Sequence, residues 1–229
     1  MDARTQERPF HRDLNELKLN LLKMATLAEK AVEDSITSLV KRDAALAAKI
    51  IAGDETVNQL ELAIDDQCLR LLALQQPMAR DLRFITSAMK INYDLERIAD
   101  QAVNIAERAE ELAKRPTISC CLDLPAMAEM TYGMILKSID AFVNQDAKLA
   151  EEVCRKDDEV DELNEVILRQ VLDFMATHTP AIRRAIHYII IARCLERVAD
   201  HCTNIAENVV YIVEGRIIKH GGFSREGLR

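Results

Sequence analysis

Leu95–Glu107 reads L-E-R-I-A-D-Q-A-V-N-I-A-E, and Leu195–Glu207 reads L-E-R-V-A-D-H-C-T-N-I-A-E. Nine of the thirteen positions are identical at an offset of 100. Working outward, Pro77 and Pro180 align at an offset of 103, so the second copy is three residues shorter between proline and motif. The offset of 103 then holds back through Asp54/Asp157, Val57/Val160, Ile64/Ile167 and Gln67/Gln170, and further through Asp43/Asp146, Ser35/Ser138 and Met24/Met127. A register kept over so many positions is the signature of an internal duplication.

Within each copy the apolar residues recur at three- and four-residue steps. Leu14, Leu17, Leu21, Met24, Leu27 and Ala28 in the first copy mark one face of a helix. Asp43 and Asp146 each precede an Ala-rich run and suit a helix N-cap, while the two prolines sit where a chain reverses ahead of the next helix. The spacing predicts helices over 10–41, 43–75, 78–113, 125–144, 146–176 and 180–214. The fold expected is all-α, two tandem three-helix bundles: a first repeat at 10–114, a linker at 115–125, a second repeat at 126–214 and a flexible tail at 215–229. Gly53 is matched by Lys156, which marks it as an interior glycine rather than a break. The methionines at 78, 89, 127, 130, 134 and 175 read as core fillers.

Composition excludes several alternatives. Only 6 Gly and 5 Pro occur in 229 residues, too few for the frequent turns of a sheet protein. A hydrophobic content of 49% argues against intrinsic disorder. The net charge of −8 argues against nucleic acid as a partner. The first eight residues carry charges where a secretion signal needs an apolar stretch, and no segment is apolar for long enough to span a bilayer, so a cytoplasmic location is expected. The six cysteines, without C-x-x-C spacing, read as reduced thiols, Cys120–Cys121 being the one conceivable redox pair.

The chemistry lies in carboxylates. With each helical residue advancing about 100°, Asp100, Asn104 and Glu107 fall at about 40°, 80° and 20° from Glu96, forming one stripe. Glu196, Asp200, Asn204 and Glu207 repeat it. The preceding helix carries a shorter step, Asp54 and Asn58 in the first copy and Asp157 and Asp161 in the second. In an antiparallel hairpin, facing residues share a midpoint. Positions 54 and 100, like 58 and 96, are centred on 77, and 157 with 200, like 161 with 196, on 178.5. Both centres fall in the proline turns. Each copy therefore gathers oxygen donors across its hairpin, three carboxylates in the first and four in the second. Oxygen-only ligands suit Mg²⁺, Mn²⁺ or iron, and zinc is disfavoured without Cys or His. The competing explanation is a solvated helix face whose acids pair with Arg97 and Arg197.

Q-Q-P-M-A-R-D-L-R at 75–83, together with the two L-E-R-[IV]-A-D…N-I-A-E segments, resembles the PhoU family of phosphate-transport accessory proteins. The likeness runs from about residue 10 to 213 and includes the tandem halves. It implies two three-helix bundles, commonly dimeric, and a cytoplasmic negative regulator of phosphate uptake and phosphate-starvation signalling. The implied partners are the ATPase subunit of the phosphate importer and a membrane sensor histidine kinase. The family's metal motifs map onto Asp54/Asn58 with Glu96/Asp100, and onto Asp157/Asp161 with Glu196/Asp200. Two departures stand out: Asn58 replaces an acid, and Ala99 and Ala199 stand where the family often has Gly. From another functional class, the alternative is a metal-dependent enzyme or metal store built on a carboxylate bundle. No nucleophile–base pair or phosphate-binding loop is legible, so no catalysis is expected.

Overall fold

A computed structural model describes residues 9–120 and 123–218. Among these residues the chain forms six α-helices and no strand: α1 (Pro9–Lys41), α2 (Ala44–Gln75), α3 (Ala79–Ala113), α4 (Leu124–Asn144), α5 (Ala147–Thr177) and α6 (Ile182–Glu214), with a 3₁₀ turn at Thr179–Ala181 before α6. None of these helices is long and apolar enough to cross a membrane.

The duplication is visible in the way the helices start and stop. Asp43 Oδ1 accepts from the backbone N–H groups of Ala45 and Leu46 at 3.0 and 2.9 Å. Asp146 Oδ1 does the same for Lys148 and Leu149 at 2.9 and 3.1 Å. Just before each cap, Arg42 (φ 56°) and Gln145 (φ 52°) adopt the left-handed conformation that ends the preceding helix. The Asp43 N–H then closes onto the Ser38 carbonyl, and the Asp146 N–H onto Ala141, both at 2.9 Å. Arg42 has a second task that Gln145 does not share. Its guanidinium donates to the carbonyls of Leu112 and Ala113 at 2.7 and 3.2 Å and to that of Arg115, capping the end of α3. Gln67 and Gln170, another repeated pair, tie their helices to the Asp13 carbonyl and to Asp123.

Helices α1–α3 pack on one another, as do α4–α6, giving the two bundles. They are not insulated from each other. α3 packs against α6, and α1 touches α4, so the buried apolar residues of both bundles form one main core. α3 and α6 run antiparallel: Asp94 meets His201 and Asn204 across the seam, while His187 lies within electrostatic reach of Arg108 and Glu111.

Three expectations require correction. Pro125 belongs to the first turn of α4, where its missing N–H is no loss, so the connection between bundles ends at Asp123 rather than 125. Met78 is 80% exposed at the tip of the α2–α3 hairpin and fills no core. The tail does not loosen at 215: Gly215 caps α6 in the left-handed region (φ 71°), Arg216 bonds to Glu151 and Glu214, and Ile218 is only 4% exposed in the core. Residues 219–229 and Cys121 lie outside the described residues. Cys68, Cys154, Cys194 and Cys202 form no disulfide, and burial pushes the thiols of Cys68 and Cys154 up to about 12, so these two are poor nucleophiles at neutral pH.

Candidate metal centre

The α2–α3 and α5–α6 hairpins bring the acidic steps together as their shared midpoints require. Glu96 on α3 lies within electrostatic reach of Asp54 on α2, and Asp100 feels Asp54 as well. In the second bundle Asp200 on α6 acts on Asp157 on α5, and Asp161 acts on Asp200 and on Glu196. Both facing arrangements depend on the register of one hairpin, so the clusters are properties of the bundles and not of one helix.

Their electrostatics are those of acids held together without enough counter-charge. Burial, followed by the Asp100 carboxylate, raises Glu96 above the ordinary carboxylate range, and burial does the same for Asp100, Glu196 and Asp200. Asp157 is moved furthest: burial and then the charges of Asp200 and Asp161 push it up to about 6. Arginines offset part of this. Arg97 donates to Asp100 at 2.9 Å and lies 3.3 Å from Glu96 Oε2, and Arg193 donates to Glu196 Oε1 at 2.8 Å. The surface-pairing explanation is therefore partly realised, although Arg193 rather than Arg197 makes the second contact.

What the arginines leave over is the same in both bundles. Asp54 Oδ1, Glu96 Oε2, Asp157 Oδ1 and Glu196 Oε2 are all buried without a well-formed hydrogen bond, although Glu96 Oε2 keeps its ion pair with Arg97 and the Thr203 hydroxyl lies close enough to act on Asp157. These four atoms belong to two pairs of repeat-related residues. Buried carboxylate oxygens ordinarily find a donor, so four orphans at equivalent places define a chemistry that a cation satisfies. An all-oxygen donor set fits a hard or borderline ion. No three His, Cys, Asp or Glu side chains among the described residues converge into a ready-made site. Mutual repulsion opposes closer approach of unneutralised acids, and ligation requires them to leave Arg97 and Arg193 and turn inward.

Other predicted members fall outside. Asn204 is exposed at its cluster and donates instead to Asp94 at 3.1 Å, joining His201 in tying α6 to α3. Asn104 donates to the Asp100 carbonyl on its own helix at 3.0 Å, and Glu107 pairs with Arg108 at 2.9 Å. Asn58 donates to Asp54 Oδ2 at 3.0 Å and so presents a hydrogen-bond donor to the cluster. Sequence spacing missed Glu61. Its carboxyl is raised by burial and then by Asp65, with Asp100 acting in the same direction, so it belongs to the first cluster. The signal was present in the three- and four-residue steps from Asp54 through Asn58 to Glu61 and Asp65, which continue one helix face. With Glu61 included, the first bundle holds four carboxylates, like the second, and the three-against-four difference disappears.

A family model described as the PhoU domain matches residues 21–109 and again 124–209. The chain is 40% identical over 216 residues to the phosphate-specific transport system accessory protein PhoU homolog of Aquifex aeolicus (strain VF5), covering 94% of this chain and 98% of that protein. It is 33% identical to the phosphate-specific transport system accessory protein PhoU of Escherichia coli (strain K12), covering 93% and 88%. Among solved structures it superposes on a crystal structure of PhoU from Pseudomonas aeruginosa with a TM-score of 0.88 at 37% identity, over 90% of this chain and 100% of that one. The phosphate transport system regulatory protein PhoU from Streptococcus pneumoniae gives 0.85 at 29% identity, over 92% and 100%.

Proposed function

This chain belongs to the PhoU family, and on that premise we propose that it is a cytoplasmic negative regulator of phosphate uptake and phosphate-starvation signalling, working as a metal-dependent adaptor. Its relatives are accessory and regulatory proteins of phosphate transport by name, which supports the transport context. The observation that carries the metal-dependent part is the set of four buried carboxylate oxygens on Asp54, Glu96, Asp157 and Glu196 that accept no hydrogen bond. Divalent or trivalent ions (Mg²⁺, Mn²⁺ or iron) held there by Asp54, Glu96 and Asp100, and by Asp157, Asp161, Glu196 and Asp200, neutralise the clustered charge. Bound there, such an ion would supply the positive charge to which a carboxylate or phosphoryl oxygen of a docking partner is drawn.

The partners the family nominates are the importer's ATPase subunit and a sensor histidine kinase, engaged by a homodimer. Replacing Glu96, Asp100, Glu196 and Asp200 together by Ala is expected to preserve helical content while abolishing metal-dependent capture of both partners and derepressing the starvation response in cells. Capture and repression equal to the parent's would leave the clusters as solvated faces. Oxygen consumption or redox turnover by the iron-loaded protein would instead favour the carboxylate-bundle enzyme.

A further inference from the structure

We propose that the groove between the end of α1 and the start of α4 is a docking site for a basic amphipathic helix of a partner protein, seated by its apolar face and held by acids on the rim. The groove has a volume of about 480 Å³, and none of the clustered carboxylates lines it. Its floor is apolar: Ile36 and Leu39 of α1, Ile118 of the connection between the bundles, Leu124 and Ala128 of α4, and Leu195 of α6. At its mouth Val40 is 68% exposed.

The duplication marks this opening as a feature of the first bundle. At the offset of 103 Leu39 becomes Phe142, whose ring stacks on Phe84 with 6.2 Å between centroids. At the offset of 100 the half-buried Ile118 becomes Ile218, a core residue. An aromatic pair and a buried isoleucine thus occupy in the second bundle what the first leaves open.

Charge decides what kind of partner fits. Glu33 and Glu129 stand exposed on the rim, and Glu29 accepts from the Tyr132 hydroxyl of the same wall at 3.2 Å. Burial, and then the charges of Glu29 and Glu33, raise that hydroxyl above the usual tyrosine range. Among the described residues lining the groove Arg42 is the single cation, and its guanidinium is taken up by the carbonyls of Leu112, Ala113 and Arg115. Lys30 lies 3.6 Å from Glu33 but donates to Asp34 at 2.8 Å. The rim therefore keeps an excess of negative charge, which draws basic side chains. The two long walls are helices whose backbone bonds are internal, so they offer no edge for strand pairing. A partner that satisfies its own backbone, a helix with anchors at i, i+3 or i+4 and i+7, is the form that fits. The first eight residues of this chain fall short of the groove: Pro9 lies about 40 Å from Ile36 along α1, and eight extended residues span at most ~29 Å.

Fluorescence anisotropy of a labelled Leu/Lys amphipathic helical peptide, titrated with the full chain, tests this docking beside a Leu/Glu peptide of the same pattern. The Leu/Lys peptide is expected to bind at least about tenfold tighter, with the difference shrinking at high salt. Val40→Ser with Ile118→Ser is expected to weaken its binding at least about fivefold. Glu33→Gln with Glu129→Gln is expected to weaken it about threefold and to flatten the salt dependence. Glu165→Gln with Asp173→Asn, exposed acids of α5 outside the groove, is expected to change it by less than about twofold. The charge variants alter only exposed side chains, so they report on the groove even where Ile118→Ser disturbs the fold. Docking here is overturned if neither peptide binds, if the two bind alike, if the groove variants titrate like the parent, or if the α5 variant loses as much. It is equally overturned if a chain ending at Ile218 binds the peptide several-fold tighter, which would make the residues after 218 the occupant. Splitting of a dimer by Val40→Ser would overturn it too, by making a second copy the occupant.

Discussion

Asp157 sits on α5 facing Asp200, and their proximity together with burial holds its carboxyl near 6 where an unfolded aspartate titrates near 3.9. The sign of the consequence follows from linkage. Between those two pH values the folded chain keeps a proton that the unfolded chain has released, so stability falls as pH rises through that window. Glu61, Glu96, Asp100, Glu196 and Asp200 are shifted in the same direction and add to it. Metal-free protein is therefore expected to melt at a lower temperature at pH 7 than at pH 5, and saturating Mn²⁺ to narrow or reverse that gap. Thermal melts at the two pH values, with chelator and with metal, check this. Asp157→Asn is expected to flatten the metal-free pH dependence, since it removes the most strongly shifted group, and a variant as pH-sensitive as the parent would contradict the assignment. Metal affinity should drop as pH falls below 6, because the ligands must lose their protons to bind.

Among the helices, α2 carries the least regular sequence, with Gly53 in its interior. A Cβ built on Gly53 meets nothing within 4 Å, and the residue is exposed. The glycine therefore costs helix stability, about 1 kcal/mol relative to alanine, with no packing reason to keep it. Gly53→Ala is expected to raise the melting temperature by about 2–4 °C, measured by circular dichroism. No rise would mean that the groove beside it, lined by Lys49, Asp54 and Val57, needs the missing side chain. At the opposite sign, Asp146→Ala removes two backbone hydrogen bonds at the start of α5 and is expected to cost about 1 kcal/mol. Asp43→Ala should cost a similar amount, because the repeat uses the same cap twice.

At the scale of the whole molecule the two bundles share one main core through α3 and α6. A buried carboxylate fastens that seam: Asp94 accepts from Asn204 at 3.1 Å and lies 2.9 Å from the His201 Nδ1. Two domains joined by a linker would unfold in two steps, whereas two bundles with a common core should unfold in one. Denaturant unfolding is expected to give a single transition with coincident secondary- and tertiary-structure probes. A fragment ending at Ala113 should be aggregation-prone or partly folded, because α3 loses the helix that covers it. Two resolved transitions would show that the seam is weaker than its burial implies.

Periodicity and duplication determined the six helices to within a few residues, because a repeated apolar step can be buried in only one way. Shared midpoints determined which acids face each other, since a hairpin converts sequence distance from its turn directly into spatial level. The sequence did not reveal that Asn204 turns to Asp94, that Arg193 rather than Arg197 holds Glu196, or that Asn92 ties α3 to the Glu61 carbonyl and Asp65 of α2. Each of these depends on how one bundle docks on the other or on which rotamer a long side chain takes. Neither has a period. The tertiary structure alone decided that the halves share a core, because the α3–α6 contact brings together residues about a hundred positions apart with no turn to set their register.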